Sequence, residues 1–213
     1  MPSYKLTYFP LKGRAEPIRL LLSYAGVEFI DDRIEFKDWP EIKHTTPLGQ
    51  LPVLEIDDRK VYQSNAICRY LAKQFGLAGK NDWEALEIDA TVDTIFDCLN
   101  KIVDYHYEAH PEAKAQKCEK LEELIPFYIR RLDEQVKKNE GYLVGGALTW
   151  ADLVFVGLLD SFNFMSKRDV IEKAKELKAL QQKVLDIPNI KAWVAKRPDS
   201  FPDKSRIGRL LTE

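Results

Sequence analysis

Residues 50–75 read QLPVLEIDDRKVYQSNAICRYLAKQF, and this stretch sets the expected fold. A proline enters an apolar run at position 52, although proline in a sheet is normally confined to an edge or to the first strand position. Residues 53–56 and 60–62 flank the polar residues 57–59, which predicts a β-hairpin. Residues 64–75 then place apolar side chains on one helical face. The stretch therefore predicts strand, turn, strand and helix.

The residues before this stretch also alternate between strand and helix signals. Residues 5–8 predict a first strand, and Pro17 sits where the first turn of a helix tolerates proline. Apolar spacing continues to Gly26, a predicted C-cap, and residues 29–34 predict a second strand. Residues 36–50 predict a loop with one short helix. The order βαβ-loop-ββα indicates a small mixed sheet with helices on its faces.

Strand signals nearly vanish after a linker at residues 76–82. A long helix is predicted by apolar residues at steps of three and four, and a second helix by a similar series that Pro126 can kink. The first series is Ile88, Val92, Ile95, Leu99 and Ile102; the second is Leu121, Leu124, Phe127, Tyr128 and Leu132.

Three further helices complete the predicted architecture. Thr149 and Asp152 form an acidic version of the capping box at the start of one, and shorter helices are predicted near residues 177–185 and 189–196. The sequence thus predicts a small α/β domain over residues 1–79 and an all-helical domain over residues 80–213.

Composition excludes several classes of protein. The net charge of −2 gives no basic face for nucleic acid. No apolar run approaches the roughly 20 residues of a membrane span, and the N-terminus lacks the apolar segment of a secretory signal. Three widely spaced cysteines fit neither a disulfide framework nor a zinc site, so reduced thiols in a cytoplasmic protein are expected.

Four short patches in the first 64 residues, in this order, resemble the glutathione-binding domain of the cytosolic glutathione transferases, and the sigma class most. The patches are Tyr4 to Phe9 with Arg14, Trp39 with Lys43, Gln50 to Val53, and Gln63-Ser64. The resemblance extends to Pro198 and includes Thr149-Trp150-Ala151-Asp152. It implies a thioredoxin-like N-terminal domain, an all-α C-terminal domain, glutathione as co-substrate and a homodimer.

Tyr8 is the catalytic residue that the resemblance implies. An isolated tyrosine at a strand end is more often a half-buried structural residue, but a side chain there can project above the sheet edge, where α/β sheets commonly place ligands. In the family, this hydroxyl donates its hydrogen to the sulfur of glutathione. Phe9 to Lys12 contains no cysteine, which argues against a thioredoxin-type oxidoreductase.

The remaining contacts to glutathione are also implied by the resemblance. Main-chain atoms of Leu51 pair with the cysteinyl part of glutathione, beside Pro52. The Leu51-Pro52 bond is cis if the domain is thioredoxin-like and trans if the proline only begins a strand. Gln63 and Ser64 receive the γ-glutamyl carboxylate at a helix start, where Ser64 also fits a simple N-cap. The full predicted set is Tyr8, Arg14, Trp39, Lys43, Gln50, Leu51, Pro52, Gln63, Ser64 and, from the partner subunit, Asp97.

Asp89, Asp93 and Asp97 form an acidic row on the long helix. The row is either a solvated face or part of a dimer interface, from which Asp97 reaches the amine of glutathione on the other subunit. Related prostaglandin D synthases bind a metal with interface acids, one of which stands where this chain has Phe96. No metal is therefore expected.

The second substrate is expected to be a small hydrophobic electrophile. Its predicted pocket is mostly apolar and comprises Phe9, Gly13, Arg14, Phe96, Leu99, Tyr105, Val154 and Leu158. Hydroperoxide reduction is expected as a side activity. The alternatives are a glutathione-dependent prostaglandin D isomerase and a crystallin-like structural protein with weak catalysis. Residues 199–213 extend past the usual end of the class and either cover this pocket or form a frayed tail.

Overall fold

The computed structural model describes residues 2–198, so any contribution of residues 199–213 to a pocket lies outside the described residues. Four strands and eight α-helices are assigned in this range. In chain order they are β1 Tyr4–Tyr8, α1 Glu16–Tyr24, β2 Ile30–Arg33, α2 Trp39–Ile42, β3 Val53–Ile56, β4 Arg59–Tyr62, α3 Ser64–Gln74, α4 Asp82–His106, α5 Pro111–Lys138, α6 Trp150–Ser166, α7 Lys175–Leu185 and α8 Pro188–Lys196.

The strands form one mixed sheet in the order β2-β1-β3-β4. β1 pairs parallel with β2 and antiparallel with β3, and β3 pairs antiparallel with β4. The predicted hairpin is confirmed, with Asp57 in the left-handed region at φ 51°. The second strand is two residues shorter than predicted, and Gly26 lies one residue beyond the observed C-cap, Ala25.

α1 joins the sheet to the helices that follow it. It packs against α3, α6 and α8. A Cβ placed on Gly157 of α6 would lie 2.9 Å from the backbone nitrogen of Pro17, closer than real side chains allow. The missing side chain therefore lets α1 and α6 approach backbone to backbone.

The long helix follows the predicted apolar seam. All five of its predicted residues are at most 2% exposed. The prediction for α5 was partly wrong, because Phe127 is 49% exposed while Ile125 and Ile129 are buried. Phe127 flanks the true seam and contacts Tyr128 and Arg131 at the surface, with ring and cation–π distances of 5.8 and 5.6 Å.

The predicted capping box opens α6. The carboxylate of Asp152 accepts hydrogen bonds from the backbone N–H of Thr149 at 2.7 Å and from that of Leu143 at 2.8 Å. Asp152 is completely buried, which fits a structural cap. Within residues 2–198, none of the helices combines the length and apolarity needed to cross a membrane.

Candidate active site

Tyr8 ends β1 and is 8% exposed. Its hydroxyl oxygen accepts a hydrogen bond from the backbone N–H of Arg14 at 3.2 Å. Burial raises the pKa of Tyr8 above its ordinary value, and the hydrogen bond from Arg14 and the charges of Arg14 and Arg19 partly offset this rise. Tyr8 is therefore a neutral phenol at physiological pH, with its own hydrogen available to donate.

The loop after β1 owes its shape to Gly13. This residue has φ +45°, and a Cβ placed on it would lie 2.7 Å from the Tyr8 hydroxyl oxygen and 2.6 Å from Leu11 Cδ1. A side chain here would displace the tyrosine or the loop, and its backbone conformation would be strained. Gly13 thus leaves room for the hydroxyl of Tyr8.

Arg14 points from the same loop toward α4. Its Nη2 donates to Asn100 Oδ1 at 2.7 Å, and its guanidinium carbon lies 5.1 Å from the centroid of the Phe96 ring. Arg14 therefore connects the tyrosine loop with one wall of the predicted electrophile pocket. Asn100 was not among the predicted residues, since nothing near it in the chain indicates a partner for Arg14.

The register of the sheet brings three predicted patches to one end. Thr7 lies opposite Val53, and Val53 lies opposite Tyr62. Tyr8 follows Thr7, Pro52 precedes Val53 and Gln63 follows Tyr62. All three residues therefore lie at the same end of the sheet. The Leu51-Pro52 bond, whose isomer the sequence left open, is cis.

α3 begins at Ser64, and Gln63 is its N-cap residue. Gln63 has φ 69° and ψ 102°, a region that costs a non-glycine residue about 1–3 kcal/mol. Its side chain makes no capping hydrogen bond and is exposed, whereas Ser64 is 7% exposed. Ser64 is therefore the first helical residue and not the N-cap.

The distal part of the predicted site lies on the loop around α2. Trp39 is half-buried and makes an edge contact with Phe9 at 5.5 Å between ring centroids, while Phe9 stacks on Phe36 at 4.6 Å. Lys43 and Gln50 are exposed, and the stem of Lys43 passes close to Gly49. The loop thus places an aromatic N–H group and a cation on residues that are much less buried than Tyr8.

The residues of the predicted electrophile pocket differ in how much of each side chain is exposed. Tyr105 is half-buried, with the Lys114 ammonium 5.4 Å from its ring centroid, and burial raises the pKa of Tyr105. Val154 and Leu158 have 0% exposure. These two side chains would support a pocket wall from behind, because they offer no surface of their own to a ligand.

The acidic row on α4 is not uniform. Asp89 accepts from Arg69 Nε at 3.0 Å with both oxygens and so links α4 to α3, whereas Asp93 and Asp97 are exposed. Across residues 2–198, no group of three or more His, Cys, Asp or Glu side chains is arranged to hold a metal ion.

Comparisons with known proteins identify the family that the sequence motifs resemble. Residues 4–73 match the family model of the glutathione S-transferase N-terminal domain, and residues 96–197 match that of the C-terminal domain. A glutathione S-transferase of Anopheles gambiae is 49% identical over 93% of this chain and 98% of its own length. The human hematopoietic prostaglandin D synthase is 38% identical over 94% of this chain and 99% of its own.

The fold of this chain is also similar to that of a solved structure. The prostaglandin synthase D of Nilaparvata lugens is 46% identical, covers 93% of this chain and 100% of its own, and superposes with a TM-score of 0.89. The likeness to prostaglandin D synthases is consistent with the sigma class. With its tyrosine at the end of β1, its cis-proline and its two matched domains, the chain belongs to the glutathione S-transferase family.

Proposed function

We propose that this enzyme transfers the thiol of glutathione to small hydrophobic electrophiles, with Tyr8 stabilising the thiolate. The observation that carries the proposal is the state of Tyr8, which is buried, neutral and already accepts the Arg14 N–H. Its hydroxyl hydrogen is left for an acceptor in the cleft. A sulfur anion beside the Gly13 loop is such an acceptor.

One hydrogen bond is enough for this activation. A thiol with a pKa of about 8.5 is only ~3% ionised at pH 7. A hydrogen bond to a charged acceptor contributes about 1.5–3 kcal/mol, which lowers the thiol pKa by about one to two units. The thiolate fraction then rises to some tens of per cent, so neither a metal nor a separate base is required.

The rest of glutathione is proposed to lie along the sheet edge. Its γ-glutamyl carboxylate meets Gln63 and Ser64 at the start of α3, where free N–H groups and the helix dipole favour an anion. Its cysteinyl main chain pairs with Leu51 beside the cis bond. Trp39, Lys43 and Gln50 receive the glycyl carboxylate. The electrophile lies on the α4 side, near Arg14, Phe96 and Tyr105, with Phe9 and Gly13 around it. Leu99 is 2% exposed and supports this wall from behind.

A prostaglandin D isomerase is the second candidate. It is favoured by the names of two relatives, the human enzyme and that of Nilaparvata lugens. A panel of a chloronitrobenzene, a lipid hydroperoxide and a prostaglandin endoperoxide separates conjugation, peroxidase and isomerase activity. Absence of turnover with all three would favour a crystallin-like structural role.

Replacement of Tyr8 tests the proposed chemistry. Tyr8→Phe should keep the fold and the affinity for glutathione but lower turnover at pH 7 by about tenfold or more, because one hydrogen bond to the thiolate is lost. The measurement is the ultraviolet absorbance of bound thiolate as a function of pH, together with kcat.

Tyr4→Phe is the matched control, since Tyr4 lies on the same strand and is 7% exposed. It should leave the thiol pKa unchanged. A Tyr8→Phe enzyme with wild-type thiolate absorbance would exclude the assigned role.

We further infer a cytoplasmic homodimer in which Asp97 of each subunit approaches the amine of glutathione on the other. All three cysteines are free thiols, which fits a reducing compartment. Asp97 is exposed in the single chain, and a two-fold axis lets each subunit complete its partner's site. The boundary between the glutathione domain and the helical domain is proposed at residues 79 and 80.

Asp97→Asn tests this composite site. Loss of the carboxylate should weaken glutathione binding by about tenfold or more, because a hydrogen bond to a charged group contributes about 1.5–3 kcal/mol. Asp93→Asn removes a charge from the same exposed row and should leave the affinity unchanged. Sedimentation that shows a fully active monomer would exclude the shared site, as would wild-type affinity in Asp97→Asn.

A further inference from the structure

Two charged side chains are fully buried in α1, between apolar neighbours. The side chains of Glu16 and Arg19 are 1% and 0% exposed. Burial of a charge is costly unless it is paired and hydrogen-bonded. Their partners therefore show what these side chains hold in place.

Arg19 is fixed by two carboxylates. Its Nε donates to Asp31 Oδ1 at 2.8 Å, and its Nη1 donates to Glu16 Oε2 at 3.2 Å. The other oxygen of Glu16 accepts from Trp193 Nε1 at 3.0 Å and from Arg197. The guanidinium is consequently held from the sheet on one side and from α8, through Glu16, on the other.

The same guanidinium reaches the tyrosine loop. Nη1 also donates to the backbone oxygen of Leu11 at 2.9 Å and to that of Lys12 at 3.4 Å. Gly13 and Arg14 follow directly, and the Arg14 N–H donates to the Tyr8 hydroxyl oxygen. The guanidinium carbon itself lies 6.0 Å from the centroid of the Tyr8 ring.

We propose that Arg19 is a positioning residue for Tyr8. By binding the carbonyls of Leu11 and Lys12, it fixes the loop that presents the Arg14 N–H to the tyrosine oxygen. The hydroxyl hydrogen of Tyr8 is thereby directed toward the sulfur of glutathione. This inference rests on the proposed function of Tyr8.

The physical effect has two parts. A hydroxyl that accepts a hydrogen bond is polarised and donates more strongly, so the Arg14 N–H strengthens the bond from Tyr8 to sulfur. A displacement of about 1 Å in such a contact can lower a rate by up to about 100-fold. Besides burial, the groups that shift the pKa of Tyr8 are Arg14 and Arg19, which lower it, and Tyr107, which raises it.

Arg19→Lys separates position from charge, because lysine keeps the cation but cannot hold both loop carbonyls and both carboxylates in one plane. We expect the thiol pKa of bound glutathione to rise by about one unit, since the Tyr8 bond contributes about one to two units in all. At neutral pH kcat should fall several-fold while KM for glutathione stays within about twofold. The deficit in kcat should shrink as the pH rises above the new thiol pKa.

Arg69→Gln is the matched control. It also removes an arginine from an ion pair. This pair joins Arg69 of α3 to Asp89 of α4 and does not include the tyrosine loop. This variant should lose some stability in thermal unfolding but keep the wild-type thiol pKa. A shift in Arg19→Lys alone would therefore report the loop and not a general loss of stability.

A folded Arg19→Lys enzyme with the wild-type thiol pKa would overturn the proposal. If that variant does not fold, Asp31→Asn is the decisive variant, because loss of positioning and simple removal of a charge change the thiol pKa in opposite directions. A loosened Arg19 raises the thiol pKa, whereas loss of a nearby negative charge alone lowers it; an unchanged or lowered pKa would overturn the proposal. Wild-type enzyme without a thiolate signal would instead contradict the proposed function.

Discussion

The two ends of the proposed glutathione site differ in how their side chains are held. At the sulfur end, Tyr8 is 8% exposed, and the tyrosine loop is held by contacts of Gly13, Arg14 and Arg19. At the glycyl end, Lys43 and Gln50 are exposed on a loop. In the proposed complex, the protein therefore pre-organises the group assigned to the reacting atom and leaves part of its affinity to exposed surface side chains.

Gly13→Ala should break the pre-organised end. The new methyl group would contact the Tyr8 hydroxyl and Leu11 Cδ1, at a backbone φ that disfavours alanine. We expect a loss of about 1–3 kcal/mol in the free energy of unfolding and a fall in kcat of about tenfold or more. Urea denaturation and steady-state kinetics measure the two effects.

A control for this variant is Gly76→Ala, at a left-handed glycine where an added Cβ would have no atom within 4 Å. It should lose stability without a change in the thiol pKa. Equal kcat values for Gly13→Ala and wild type would contradict the requirement for space beside Tyr8.

Lys43→Met should affect only the exposed end. An exposed ion pair contributes about 0.2–1 kcal/mol, so KM for glutathione should rise by no more than about fivefold while kcat at saturation stays constant. The rise should diminish at high salt, which screens exposed charges. Lys37→Met, on the same loop and also exposed, is expected to change neither constant.

Gln63, the proposed contact of the γ-glutamyl carboxylate, combines an exposed side chain with a strained backbone. Gln63→Ala and Gln63→Gly both remove the amide, so both should raise KM for glutathione more than they lower kcat. Only glycine relieves the positive φ, and Gln63→Gly should be about 1 kcal/mol more stable than Gln63→Ala in denaturant unfolding. Equal stability would show that the strain has no energetic cost.

Much of the fold was predictable because it depends on local patterns. The seam from Ile88 to Ile102 and the box of Thr149 and Asp152 are periodic or short-range features. Phe127 was misassigned because apolar spacing does not distinguish a seam from its flank. In α5, the sequence pattern alone allows either Phe127 or the neighbouring Ile125 and Ile129 to face the core.

The placement of the candidate site residues was predictable to the extent that these residues form motifs. Tyr8 and Leu51-Pro52 belong to such motifs, whereas the Arg14 to Asn100 contact joins residues 86 positions apart. Glu16 and Arg19 did carry a signal, two charges three residues apart in an apolar helix. That signal is typical both of an exposed ion pair and of a buried one, and only the packing of α8 against α1 decides between them.

The contact between Glu16 and α8 has a consequence for synthesis on the ribosome. Glu16 is translated early, but Trp193 follows it by 177 residues, and Arg197 comes later still. A nascent chain that has not yet released α8 lacks two of the three donors for this carboxylate. The tyrosine loop should therefore reach its final shape only after α8 has emerged from the ribosome and packed against α1.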